Sequence, residues 1–261
     1  MKLNILGFAT LAAIGIASAS TITLTGTLRD FKSYDAALNS TNYHPDFNTF
    51  CCGDDHKIVK NTLGIDGKPV YDGAYLPSDV KSTHGPAAFS SWYNDVSGVN
   101  ISHSFGITLD NTGHPDVYTY DNPSFFPADA FAGPNGEANL SGHNFGFTYE
   151  LATDFTYVAG QKFTFTGDDD VFVFINNQKV IDLGGVHASE SATVDLNTLG
   201  LTAGNNYNMS VFFAERHTTE SHFRIDTNIK SLTTAVPEPG TLALFGFGLT
   251  GLAIALRRRK K

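Results

Sequence analysis

Along most of this chain apolar and polar positions alternate with a period of two, the pattern of strands that bury one face. The run Thr21 to Leu28 opens the series, with Ile22, Leu24 and Leu28 set between threonines. Similar alternation recurs at Ile101 to Leu109, Phe163 to Thr166, Ser191 to Leu196 and Phe223 to Thr227. Tyr207 to Phe213 places Met209, Val211 and Phe213 on one face. Phe145 to Glu150 predicts a strand that pairs either with Phe155 to Tyr157 or with a more distant partner. Val171 to Ile175 is different, because β-branched and aromatic residues follow without a polar break, which predicts a strand buried on both faces. Asn176-Asn177 tolerates the left-handed backbone of a tight turn, so Lys179 to Ile181 returns as the hairpin partner before Gly184-Gly185 opens a loop. Phe89 to Val96 predicts one short helix ending near Gly98, with Trp92 as core filling or as a sugar-stacking platform. Residues 48 to 86 are polar and weakly periodic, and predict an insertion crossing the surface.

Short strands rich in aromatic residues, 21 Phe and 10 Tyr, without heptads or internal repeats, predict an all-β protein, an antiparallel β-sandwich over residues 20–232. Both ends lie outside it. Residues 1–19 carry Lys2, an apolar run and Ala17-Ser18-Ala19, the layout of a signal peptide removed by signal peptidase. A linker over 233–240 holds Pro237-Glu238-Pro239, an apolar stretch follows over 241–256, and residues 257–261 are all basic. That stretch is about 24 Å long as a helix, enough for transient anchoring in the inner membrane, with the basic tail in the cytoplasm. The formal charge is −9, but the two ends remove six of 17 basic residues and one of 26 acidic ones, leaving 11 against 25, or −14. A domain so acidic repels nucleic acid and attracts divalent cations. The two cysteines are adjacent, so Cys51 and Cys52 form either a strained vicinal disulfide or links between molecules. No nucleophile elbow, zinc helix or phosphate loop is visible, and the chain reads as a non-enzyme.

The candidate chemistry lies between Gly167 and Val171. Asp168, Asp169 and Asp170 meet there at the junction of a strand and a loop, where like charges oppose joint ionisation. A hard cation with oxygen ligands removes that penalty, and calcium suits an exported acidic protein; an exposed turn screened by solvent has the same composition. The segment Phe163 to His187, with Arg29-Asp30-Phe31 and His44-Pro45-Asp46-Phe47, resembles the PA14 (protective-antigen fourteen-kilodalton) module and more closely the bacterial fibro-slime domain. In calcium-dependent sugar-binding members of that superfamily, two consecutive aspartates joined by a cis peptide hold a calcium ion that also touches the glycan. The resemblance places that pair at Asp168-Asp169, with Asp170 where many members have glycine. It also places the loop with Glu215, Arg216, His217 and Thr218 beside the pair, as glycan-contacting or supporting residues, and makes His187 a sugar or metal neighbour. The C-terminus resembles the PEP-CTERM sorting signal, which implies processing by an exosortase. Together these imply an exported cell-surface or extracellular-matrix protein with calcium-assisted carbohydrate binding and an adhesive role. A structural biofilm-matrix protein whose ion only stiffens a loop is the alternative. A secreted hydrolase fits less well, because three contiguous carboxylates do not by themselves flank a glycosidic bond.

Overall fold

The structure is a computed structural model and describes residues 19–32, 43–47, 53–73, 82–131, 142–217 and 219–234. Its strands are β1 (Thr21–Phe31), β2 (Gly53–Asp54), β3 (Asn100–Asp110), β4 (Tyr118–Asn122), β5 (Phe147–Thr156), β6 (Lys162–Gly167) and β7 (Asp170–Ile175). They continue with β8 (Gln178–Leu183), β9 (Gly185–Val186), β10 (Glu190–Asp195), β11 (Asn206–Glu215), β12 (Phe223–Thr227) and β13 (Thr233–Thr234). The main sheet is antiparallel with the order β10-β6-β12-β4-β3-β1-β5-β11-β7-β8, and β13 adds to β5. It folds over at β3 and β4, which meet through the pair Asp110–Thr119. One ribbon thus supplies both leaves of the expected all-β sandwich. Phe163, Phe165, Phe223 and Ile225 of one leaf pack into the same core as Leu24, Leu151, Val211 and Phe213 of the other.

The unbroken run in β7 has the burial its pattern implies. Val171, Val173 and Ile175 enter the core between the leaves, while Phe172 and Phe174 enter a second cluster on the outer face. Phe31, Phe47, Ile58, Val59, Phe89, Trp92, Tyr93, Phe212 and Ala214 complete that cluster. Residues 53–73 therefore do more than cross the surface, because Ile58 and Val59 help to seal a second core over β7 and β11. The tight turn of the β7–β8 hairpin has Asn176 and Asn177 at φ 50° and 64°, the left-handed pair that asparagine tolerates best after glycine.

Two local expectations change. The helix covers Pro86–Phe89 rather than Phe89 to Val96. Ser90 and Ser91 donate their hydroxyls to the Ala87 and Ala88 carbonyls, and Asn94 donates its amide to the Ser90 carbonyl. Such side-chain bonds offer the backbone an alternative to a continued helix. Phe147 to Thr156 is a single strand, with Leu151 in the core and Asp154 exposed, and it pairs with the distant β1 and β11. Trp92 is fully buried and donates Nε1–H to Asp46 Oδ2 at 3.0 Å, so it is core rather than a sugar platform.

Candidate ligand and cation site

The site forms at one end of the sandwich, where β6 hands over to β7. Gly167 is required there: a Cβ at this position would lie 2.3 Å from the His222 carbonyl oxygen, so a side chain would push β12 away. The Asp168–Asp169 peptide that follows is cis, the conformation the resemblance implies for this pair. Asp168 Oδ1 accepts the His222 N–H at 2.6 Å and Asp169 Oδ2 accepts the Arg216 N–H at 2.9 Å. The two aspartates thereby hold both ends of the β11–β12 loop, which places that loop beside the acidic hinge. One oxygen of each carboxylate is committed in this way. The second is left to a pocket of about 480 Å³ lined by Asp168, Asp169, His187, His217, Thr219 and Glu220, with Val186 and Ala188 closing one side.

Asp170 turns inward. Its Oδ1 accepts the Gly185 N–H at 2.7 Å and its Oδ2 pairs with Arg216 Nε at 2.6 Å, with both side chains almost wholly buried. The Arg216 guanidinium lies 4.7 Å above the centre of the Trp92 ring, and its Nη1 donates to the Ser82 carbonyl. This corrects two expectations. Asp170 is the partner of a buried arginine rather than a metal ligand on the pocket, and Arg216 is spent on that pair rather than offered to a glycan. Glu215 is also buried; its Oε1 accepts the His217 N–H, and its Oε2 has no hydrogen-bond partner among the described residues. It lies behind the pocket rather than on it. His187 and His217 do line the pocket, as the loop positions suggested. Thr218, Cys51, Cys52, Pro237, Glu238 and Pro239 lie outside the described residues. Thr219, Glu220 and His222 join the site as well, and their only signal in the sequence is membership of the same polar loop.

Electrostatics follow from this burial. Asp169 is pushed up to about 7, first by burial and then by Asp170 and Asp168, against the opposing pull of Arg216. Burial also raises Asp168, and it raises Glu215 well above the ordinary carboxylate range, with Asp169 and Asp168 adding to the effect. Carboxylates that resist joint ionisation are suited to a hard cation. The donor number is less complete: among the described residues no group of three or more His, Cys, Asp or Glu side chains is placed to hold a metal ion. Calcium takes six to eight oxygens, so Asp168 and Asp169 fit as part of a shell whose remainder is backbone, water or ligand hydroxyls.

Residues 117–240, which contain every described site residue, match the family model of the PA14 domain, and residues 235–260 match that of the PEP-CTERM protein-sorting motif. This chain carries a PA14 domain followed by a PEP-CTERM motif. The motif marks it for export and exosortase sorting. Strands β1 and β3 precede the matched PA14 residues yet belong to the same sandwich, while β2 pairs with β9 in a separate two-stranded sheet. Among curated proteins, the chain is 41% identical over 203 residues to "Protein psiR" of Dictyostelium discoideum, covering 73% of this chain and 20% of that one. It is 35% identical over 244 residues to "Protein psiC" of the same organism, covering 88% of this chain and 45% of that one. The chain thus spans from a fifth to under half of the length of these relatives. Among solved structures, the "PA14 sugar-binding domain from RTX adhesin" aligns over 81% of this chain and 95% of its own, with TM-score 0.33 and 8% identity.

Proposed function

We propose that this PA14 domain binds carbohydrate at the cell surface or in the extracellular matrix, with a calcium ion held by Asp168 and Asp169. The observation that carries the reading is the division of labour in that pair. Each aspartate uses one oxygen to fix the adjoining loop and leaves the other to a pocket large enough for a sugar ring. Calcium supplies charge neutralisation and coordination sites that vicinal sugar hydroxyls fill in place of water. The chain's own residues do the rest: the loop supplies His217, Thr219 and Glu220, and the β8–β10 connection supplies His187. Binding rather than catalysis fits these parts, since Asp170 and Glu215 are buried behind the pocket. Individually weak sites of this kind gain strength when many copies are displayed on one surface.

A glycan array probed with the full-length protein in detergent tests the reading, with calcium and with chelator. Bound glycans that are lost in chelator and in Asp169→Asn support it; asparagine keeps an acceptor for the Arg216 N–H and removes the charge. Binding that persists in chelator removes the ion from the mechanism. Calcium-dependent stabilisation without any glycan binding favours a matrix protein in which the ion only stiffens the loop.

A further inference from the structure

A second cavity of about 470 Å³ lies against the first, and Asp168, Thr219 and Glu220 line both. Its far side is of another character. Phe126 and His143 stack with centroids 4.0 Å apart and planes 10° apart, and Phe145 packs edge-on against Phe126 at 4.8 Å. His143 Nδ1 bonds to Asp129 Oδ2 at 2.7 Å, which fixes the ring, yet its side chain remains 44% exposed. On the opposite side His222 is held at three points, through its N–H to Asp168 Oδ1, through Nδ1 to Ser189 Oγ, and through Nε2 to Asp121 Oδ1. A half-open aromatic pair thus faces fixed polar groups across a space the size of the first pocket.

We infer that this cavity is a second subsite that takes the next ring of a neutral oligosaccharide. The inference rests on the glycan reading of the first pocket and deepens it. A pyranose presents an apolar C–H face to an aromatic ring and hydroxyls at its rim, which matches the stacked pair on one side and Ser189 with His222 on the other. Glu220 stands at the junction and Asp129 at the margin, so uronate residues meet like charge there. The ligand is therefore neutral and at least two rings long.

Calorimetry on the full-length protein in detergent and calcium tests this, using glucose, galactose and mannose, their homo-oligomers of two and three residues, and the matching oligouronates. The expected result is that a disaccharide binds about tenfold more tightly than its monosaccharide, the size of one aromatic packing contact. His143→Ala then abolishes the gain and leaves monosaccharide affinity unchanged, Phe126→Leu reduces it, and the oligouronates bind no better than monosaccharides. Equal affinity for one and two rings overturns the subsite and leaves the first pocket intact, as does a gain that survives both variants. Tighter binding of the uronates overturns the neutral assignment. If no saccharide of any length binds, the glycan reading itself falls, and the subsite with it.

Discussion

Asp170 and Arg216 meet in a part of the protein where neither charge has access to water, and each depends on the other. Removing one member of such a pair leaves the other buried and uncompensated, so Asp170→Ala costs about 3–5 kcal/mol in urea unfolding. Asp168→Asn, which keeps an acceptor for the His222 N–H, costs far less; equal losses would contradict the different roles assigned to the two aspartates. His44 carries a separate prediction. It is buried against Phe31 and Phe47 with Nε2 2.8 Å from Ser91 Oγ, and burial, opposed by Asp46, lowers its pKa. A histidine depressed in the folded state contributes its full stability above the unfolded value of about 6.5 and loses it as pH falls through that value. Protonation of Asp169 and Glu215 stabilises the protein over the same interval, so the melting temperature of the wild type minus that of His44→Gln should fall between pH 7.5 and 5.5; a constant difference would contradict the assignment. The run of three aspartates was visible in the sequence, but not which of them turns inward. That choice is made by Arg216, which is distant in sequence and meets Asp170 only when β11 pairs with β7.

At the scale of elements, β7 is the strand both cores depend on. Its odd positions fill the space between the leaves and its even positions the outer cluster. Phe174→Ala should cost about 3–5 kcal/mol, as for other buried phenylalanines. It should also loosen residues 53–73, seen as faster limited proteolysis there, because Phe174 lies in the cluster with Ile58 and Val59. Loss of stability with no change in cleavage would mean that the loop is held by other contacts. Gly185 is a second check. It sits at φ 112°, and a Cβ would lie 2.3 Å from the Gly53 carbonyl, so Gly185→Ala should destabilise the β2–β9 pairing. The apolar run of β7 announced burial on both faces. What covers the second face was not legible, because the covering segment is mostly polar and contributes Ile58 and Val59, with Leu63 and Tyr71 at the edge, from widely spaced positions. The helix at Phe89 was misplaced for a related reason: the apolar spacing around Trp92 reflects burial in that cluster, while Ser90, Ser91 and Asn94 divert the backbone bonds.

For the whole molecule, strand register fixes which end faces which way. Phe147, Asp170 and Glu215 align at the pocket end, whereas Thr233 pairs with Asp154 and Thr21 with Asp110 at the other. Phe147 and Asp154 are seven positions apart on β5, about 23 Å of strand. Thr234, paired with Thr153, thus lies about 20 Å of strand from the pocket end. Fusing a bulky protein after Thr234 should leave any calcium-induced rise in melting temperature unchanged, while a short insertion between Thr219 and Glu220 should abolish it. The direct test of the account is calorimetric titration of calcium into the protein. The account predicts one saturable event per chain, with a dissociation constant of about 10⁻⁴–10⁻³ M as in extracellular modules, absent in the Asp168→Asn, Asp169→Asn double variant that still folds. No heat of binding in the wild-type chain, or the same isotherm in the double variant, would contradict it.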